Sequence, residues 1–149
     1  MLEQIVFALG DSSGPPFAAE SRVPGRRGSG GRLRVLIVDD ERLIADTLTA
    51  ILNEHDFDAV GVYSGEEAME AARTMQPDVV LSDVLMPRMS GIDLGIKIRG
   101  EFPETSIFLF SGQAATAELL HKAQADGHRF ELLPKPIHPE HLMARLRGL

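Results

Sequence analysis

Runs in which nearly every position is apolar alternate along this chain with runs in which apolar positions recur every three or four residues. Leu33-Arg-Val-Leu-Ile-Val38, Val79-Val-Leu81 and Ser106-Ile-Phe-Leu-Phe110 are of the first kind, the pattern of strands covered on both faces. Residues 59–63 and 129–133 read as two further, weaker strands. Leu43, Ile44, Leu48, Ile51 and Leu52 form one helical stripe. Ser64-Gly-Glu-Glu67 is a capping-box pattern, and Ala68, Met69, Ala72 and Met75 continue it as a second helix up to Pro77. Helices are also predicted over 92–101, 114–125 and 138–146. Strands alternating with helices through short connections predict a parallel sheet with helices on both faces, a three-layer α/β domain over residues 33–149. Residues 10–32 are dense in Gly, Pro, Ser and Arg and carry neither period, so residues 1–32 are expected to be a flexible N-terminal extension.

Composition narrows this picture. A chain of 149 residues, 44% hydrophobic, has room for one ordinary domain. The absence of cysteine excludes disulfides and thiolate chemistry. No apolar run approaches a membrane span, and Glu3 stands where a secretory signal would want positive charge, which together lead to an expectation of a cytoplasmic protein without membrane association. The formal charge is −7, and Arg22, Arg26, Arg27 and Arg32 outnumber the acids before residue 33, so the predicted domain is more acidic than the whole. Such a surface repels a phosphate backbone, and direct nucleic-acid binding is not expected.

The stretch Val79-Val-Leu-Ser-Asp83-Val-Leu-Met-Pro87-Arg-Met-Ser-Gly91 delivers one carboxylate from a buried strand to the lip of a loop. Pro87 lacks an amide hydrogen and Gly91 permits backbone angles closed to other residues, so a shaped loop must follow Asp83. Asp39-Asp40, Ser111 and Lys135 end other predicted strands, and in a parallel sheet these ends share one edge, the edge where ligands bind. Carboxylates held about 4 Å apart repel by roughly 4 kcal/mol per pair at an effective dielectric near 20. They call for a cation, and hard oxygens in a half-open site suit Mg²⁺. The metal can bridge a carboxylate and a phosphoryl oxygen, leaving the Lys135 ammonium and Ser111 hydroxyl to bind the other phosphoryl oxygens. Other readings stand beside these: Asp39 and Asp40 as caps of the first helix, Ser111 as a hydroxyl satisfying backbone groups, Lys135 as a solvated loop residue. His138 and His141 lie three apart on a helix without a third ligand, and Met69, Met75 and Met86 are expected to fill the core.

Residues 33–149 resemble the receiver domain of two-component response regulators. The family's acidic pair falls on Asp39 and Asp40, its phosphorylated aspartate on Asp83, its hydroxyl on Ser111 and its Lys-Pro on Lys135 and Pro136, while Met86, Pro87 and Gly91 fit the loop after the aspartate. The resemblance implies a flavodoxin-like doubly wound sheet of order 2-1-3-4-5. It implies Mg²⁺ among Asp39, Asp40, Asp83 and the backbone carbonyl of Leu85, and a phosphoryl group received from a sensor histidine kinase or histidine phosphotransfer protein and signalled to a protein target. It implies no enzyme beyond the chain's own phosphotransfer and dephosphorylation. With Leu149 just after the last predicted helix, a stand-alone module is expected. Two departures bear on output. Leu132 occupies the place, three before the lysine, where the family often has a switching Tyr or Phe, and the segment from Ser111 to Lys135 is longer than usual. Phe130, two residues earlier and on the same strand face, is the candidate to take over part of that role. A phosphorylation-independent binding scaffold is the alternative reading. An aspartyl-phosphate phosphatase is a weaker one, because Leu85 stands where such an enzyme has its second acid, and nucleotide binding lacks its Gly-rich loop.

Overall fold

A computed structural model of the chain describes residues 31–112 and 115–149. The expected extension therefore falls, up to residue 30, outside the described residues, as do residues 113 and 114. The described elements run β1 (Leu33–Val38), α1 (Arg42–Glu54), β2 (Phe57–Val62), α2 (Gly65–Met75), β3 (Val79–Asp83), α3 (Gly91–Glu101), β4 (Ser106–Ser111), α4 (Ala115–Ala125), β5 (Glu131–Pro134) and α5 (Pro139–Arg147). Every strand pair is parallel and the order is β2-β1-β3-β4-β5.

The continuous apolar runs follow from this topology. Alternate residues of one strand face opposite sides of the sheet. Val35 and Ile37 of β1 join Leu81, Phe108 and Phe110 under α1 and α5, while Leu36 and Val38 join Val80, Ile107 and Leu109 under α2 and α3. Both sides of β1, β3 and β4 are thus filled. Met69 and Met75 are buried in the second cluster and Met86 packs against it, as expected of core filler. At the start of α2, Ser64 Oγ accepts from the Glu67 amide at 3.1 Å and donates to the Glu67 carboxylate at 3.2 Å, so the predicted cap is present.

Two strands start elsewhere than expected. β2 begins at Phe57 rather than Ala59, because Asp56 turns the chain with φ 68° and Phe57 drops into the core opposite Leu33. β5 begins at Glu131 rather than Arg129, because the Phe130 ring is drawn onto α3. Among the described residues no helix is long and apolar enough to cross a membrane.

Candidate functional site

Three strand ends supply the carboxylates and their cation. β1 ends at Val38 and hands the chain to Asp39, whose amide donates to Val62 O at 3.2 Å on the neighbouring strand. Asp39 is fully buried, and its Oδ1 accepts from the Glu41 amide at 2.9 Å. The carboxylate therefore braces the turn into α1, but the N-cap position belongs to Glu41 and α1 has no side-chain cap. Asp40 is exposed. Asp83 is the last residue of β3, buried but for one face, and Lys135 Nζ stands 3.1 Å from its Oδ1. One ligand atom from each of Asp39, Asp40 and Asp83 lies within 4.8 Å of the others.

Lys135 reaches Asp83 because the ends of β4 and β5 are tied together. Ser111 pairs with Pro134, and the Lys135 amide donates to Ser111 O at 3.2 Å. Ser111 stands one residue beyond Phe110, the partner of Asp83, so it belongs to the same edge. The Lys135–Pro136 peptide is cis. Gly91 shows why the loop after Asp83 needs a glycine: a Cβ there would lie 2.1 Å from the Asp83 carbonyl oxygen, a clash between backbones that no rotamer relieves. Pro87 O accepts from the Met89 amide at 2.7 Å, and the Gly91 amide closes the loop onto Val84 O at 2.9 Å. Leu85 is exposed at the mouth of this loop.

Burial pushes the Asp39 carboxyl up from 3.8 to about 6; the Glu41 amide opposes this, Asp83 adds to it, Lys135 opposes it and Asp40 adds to it. A divalent cation fits what these residues leave unsatisfied. Asp39 Oδ2 is buried without a hydrogen-bond partner among the described residues, and three carboxylates face one lysine. Among the described residues no group of three metal-type side chains includes a histidine; the His138 and His141 rings pack edge to face at 5.4 Å.

Leu132 and Phe130, the candidate switch residues, are separated by the fold. Leu132 is 47% exposed, while the half-buried Phe130 ring rests against Gly95 of α3 under the Arg99 guanidinium, 4.2 Å from its centroid. A trio at the rim, Arg42 over the Tyr63 ring at 4.2 Å with the Tyr63 hydroxyl donating to Asp46 at 2.6 Å, has no counterpart in the sequence reading, since nothing in the pattern relates the start of one helix to the end of an edge strand.

The family model for response regulator receiver domains matches residues 35–147. The probable transcriptional regulatory protein TcrX of Mycobacterium tuberculosis is 34% identical over 83% of this chain and 52% of its own length. The DNA-binding response regulator MtrA of Mycobacterium leprae is 31% identical over 78% of this chain and 51% of its own. The chain thus spans about half the length of the curated relatives it matches. Among solved structures, the chemotaxis response regulator CheY4 of Vibrio cholerae superposes with a TM-score of 0.67 at 28% identity, covering 78% of this chain and 98% of that one. A two component transcriptional regulator AraC from Clostridium phytofermentans gives 0.64 at 36% identity, covering 78% of this chain and 90% of that one.

Proposed function

The chain belongs to the response regulator receiver family, and from that premise we propose that Asp83 accepts a phosphoryl group from the phosphohistidine of a sensor histidine kinase or a histidine phosphotransfer protein. One Asp83 carboxylate oxygen attacks phosphorus, the P–N bond to the imidazole breaks, and an acyl phosphate forms. Lys135, 3.1 Å from Asp83, offers its ammonium to the phosphoryl charge as it arrives, and the Ser111 hydroxyl donates to a second phosphoryl oxygen. Asp39, Asp40, Asp83 and the Leu85 carbonyl would hold Mg²⁺, which when bound neutralises charge on carboxylates and phosphoryl oxygens alike. The chain is then a phosphoacceptor acting on itself rather than an enzyme with turnover. It signals to a protein target from the cytoplasm, and its acidic domain makes no contact with nucleic acid of its own. The DNA binding named for MtrA concerns a protein about twice the length matched here.

The observation that carries this reading is the convergence of three carboxylates within 4.8 Å with Lys135 against that of Asp83. Incubation with acetyl phosphate and Mg²⁺ should add one phosphoryl mass to the wild type, localised to Asp83, and none to Asp83→Asn. Equal incorporation by the variant would place the acceptor elsewhere. No incorporation by either protein would favour the phosphorylation-independent scaffold.

A further inference from the structure

The loop between Asp83 and α3 is tied to β4 at its start, through Val84 N to Phe110 O at 3.3 Å, and closed on that start at its end, through Gly91 N to Val84 O at 2.9 Å. Its middle is held differently. Met89 lies on Gly65, the first residue of α2, so closely that a Cβ at position 65 would stand 2.5 Å from Met89 Sδ and 2.9 Å from both its Cβ and Cγ. The sulfur end of a methionine can move aside, but Cβ is fixed to the backbone, so admitting an alanine at 65 requires the loop itself to retreat. Glycine is a poor helix former, and its presence in the first turn of α2 has no conformational reason, since its φ is not in the left-handed region. The close approach of Met89 supplies the reason. Arg88 is held at φ 66°, a conformation a non-glycine residue keeps only where its neighbours enforce it. The Arg88–Glu66 pair at 3.8 Å is exposed and too weak to be the enforcer.

We propose that Met89, seated on Gly65, is a positioning residue that fixes the 84–90 loop over the carboxylate cleft and so sets where Leu85 presents its backbone carbonyl. The inference rests on the phosphoacceptor reading for its functional meaning. It makes α2, which contributes no group to the cleft, the support of the loop that carries Leu85. A supporting residue of this kind changes cation affinity without touching the cation, by roughly tenfold or more when removed.

The test compares full-length wild type with Met89→Ala, Met89→Leu, Gly65→Ala and the double variant Gly65→Ala/Met89→Ala. Two quantities are read: amide hydrogen exchange in Mg²⁺-free protein, and the apparent Mg²⁺ constant from a titration followed by amide chemical shifts. Exchange over 84–90 should quicken roughly tenfold in Met89→Ala and Gly65→Ala while β1 and β3 keep their protection, and the Mg²⁺ constant should rise by a similar factor. Met89→Leu should restore both. The double variant should lose less than the two single losses combined, because the new methyl then meets only the Cβ of residue 89 rather than Sδ, Cβ and Cγ together. Unchanged exchange in the loop, exchange that quickens equally throughout the sheet, or losses that add in the double variant would each overturn the proposal. A wild type that neither responds to Mg²⁺ nor takes phosphate on Asp83 would instead remove the phosphoacceptor reading, and loop exchange would still decide whether Met89 holds the loop.

Discussion

Asp39 is a carboxyl kept where a carboxylate is least welcome. It is buried, its Oδ2 has no hydrogen-bond partner among the described residues, and burial with Asp83 nearby pushes its pKa from 3.8 to about 6. In the cation-free protein the folded state thus holds a proton, between about pH 4 and pH 6, that the unfolded state has released. The raised folded value makes stability fall as pH rises through that window and level off above it. Above the window the ionised group opposes folding by on the order of 3 kcal/mol. Asp39→Asn keeps an oxygen for the Glu41 amide and removes the charge. It should flatten the decline, leaving the variant the more stable protein at neutral pH without Mg²⁺. Urea midpoints measured at several pH values in chelator would check this, and a variant that keeps the wild-type slope would show that another group titrates there.

At the scale of elements, the strands the sequence shows well are the ones the sheet buries on both sides. β1, β3 and β4 are central, so their apolar runs are continuous and their limits close to those read from the pattern. β2 and β5 are the edge strands, half exposed, with diluted patterns and boundaries that slip by up to two residues. The turns at Asp56, Gln76 and Arg88 take positive φ without glycine, which leaves no mark in the sequence. The same edge position bears on the proposed output. Leu132 is already half exposed and has no hydroxyl to trade, while Phe130 is wedged between Gly95 and Arg99, whose guanidinium also donates to Arg129 O. An element can shift only through contacts that differ between its two states. Beryllofluoride, a phosphoryl mimic, should therefore move amide resonances strongly around Asp39, Asp83, Ser111 and Lys135 and only weakly along α4 and β5. Large shifts spread across residues 115–146 would show a full switch operating without the aromatic residue at 132.

For the whole molecule, the candidate site was legible because parallel topology carries strand ends to one edge. Once the alternating pattern implies a parallel sheet, Asp39, Asp83, Ser111 and Lys135 must meet. Their pairing was not legible: that Lys135 sets its ammonium against Asp83, or that Gly91 must pass under the Asp83 carbonyl, depends on close approaches no spacing encodes. The same convergence would make the proposed cation binding a property of the fold. Asp39 follows β1 and Asp83 ends β3, so an unfolded chain holds no such cluster and the proposed Mg²⁺ would bind the native state alone. Mass action then stabilises the folded state by about 2.7 kcal/mol at a concentration one hundred times the dissociation constant. For a domain of this size that raises the thermal midpoint by roughly 5–10 °C. Asp83→Asn removes a carboxylate from the crowd, so it should melt higher than wild type in chelator and gain little from Mg²⁺. Melting curves in MgCl₂ and in NaCl of matched ionic strength separate a bound ion from general screening. Equal midpoints in the two salts for the wild type would mean that the acidic cluster holds no cation.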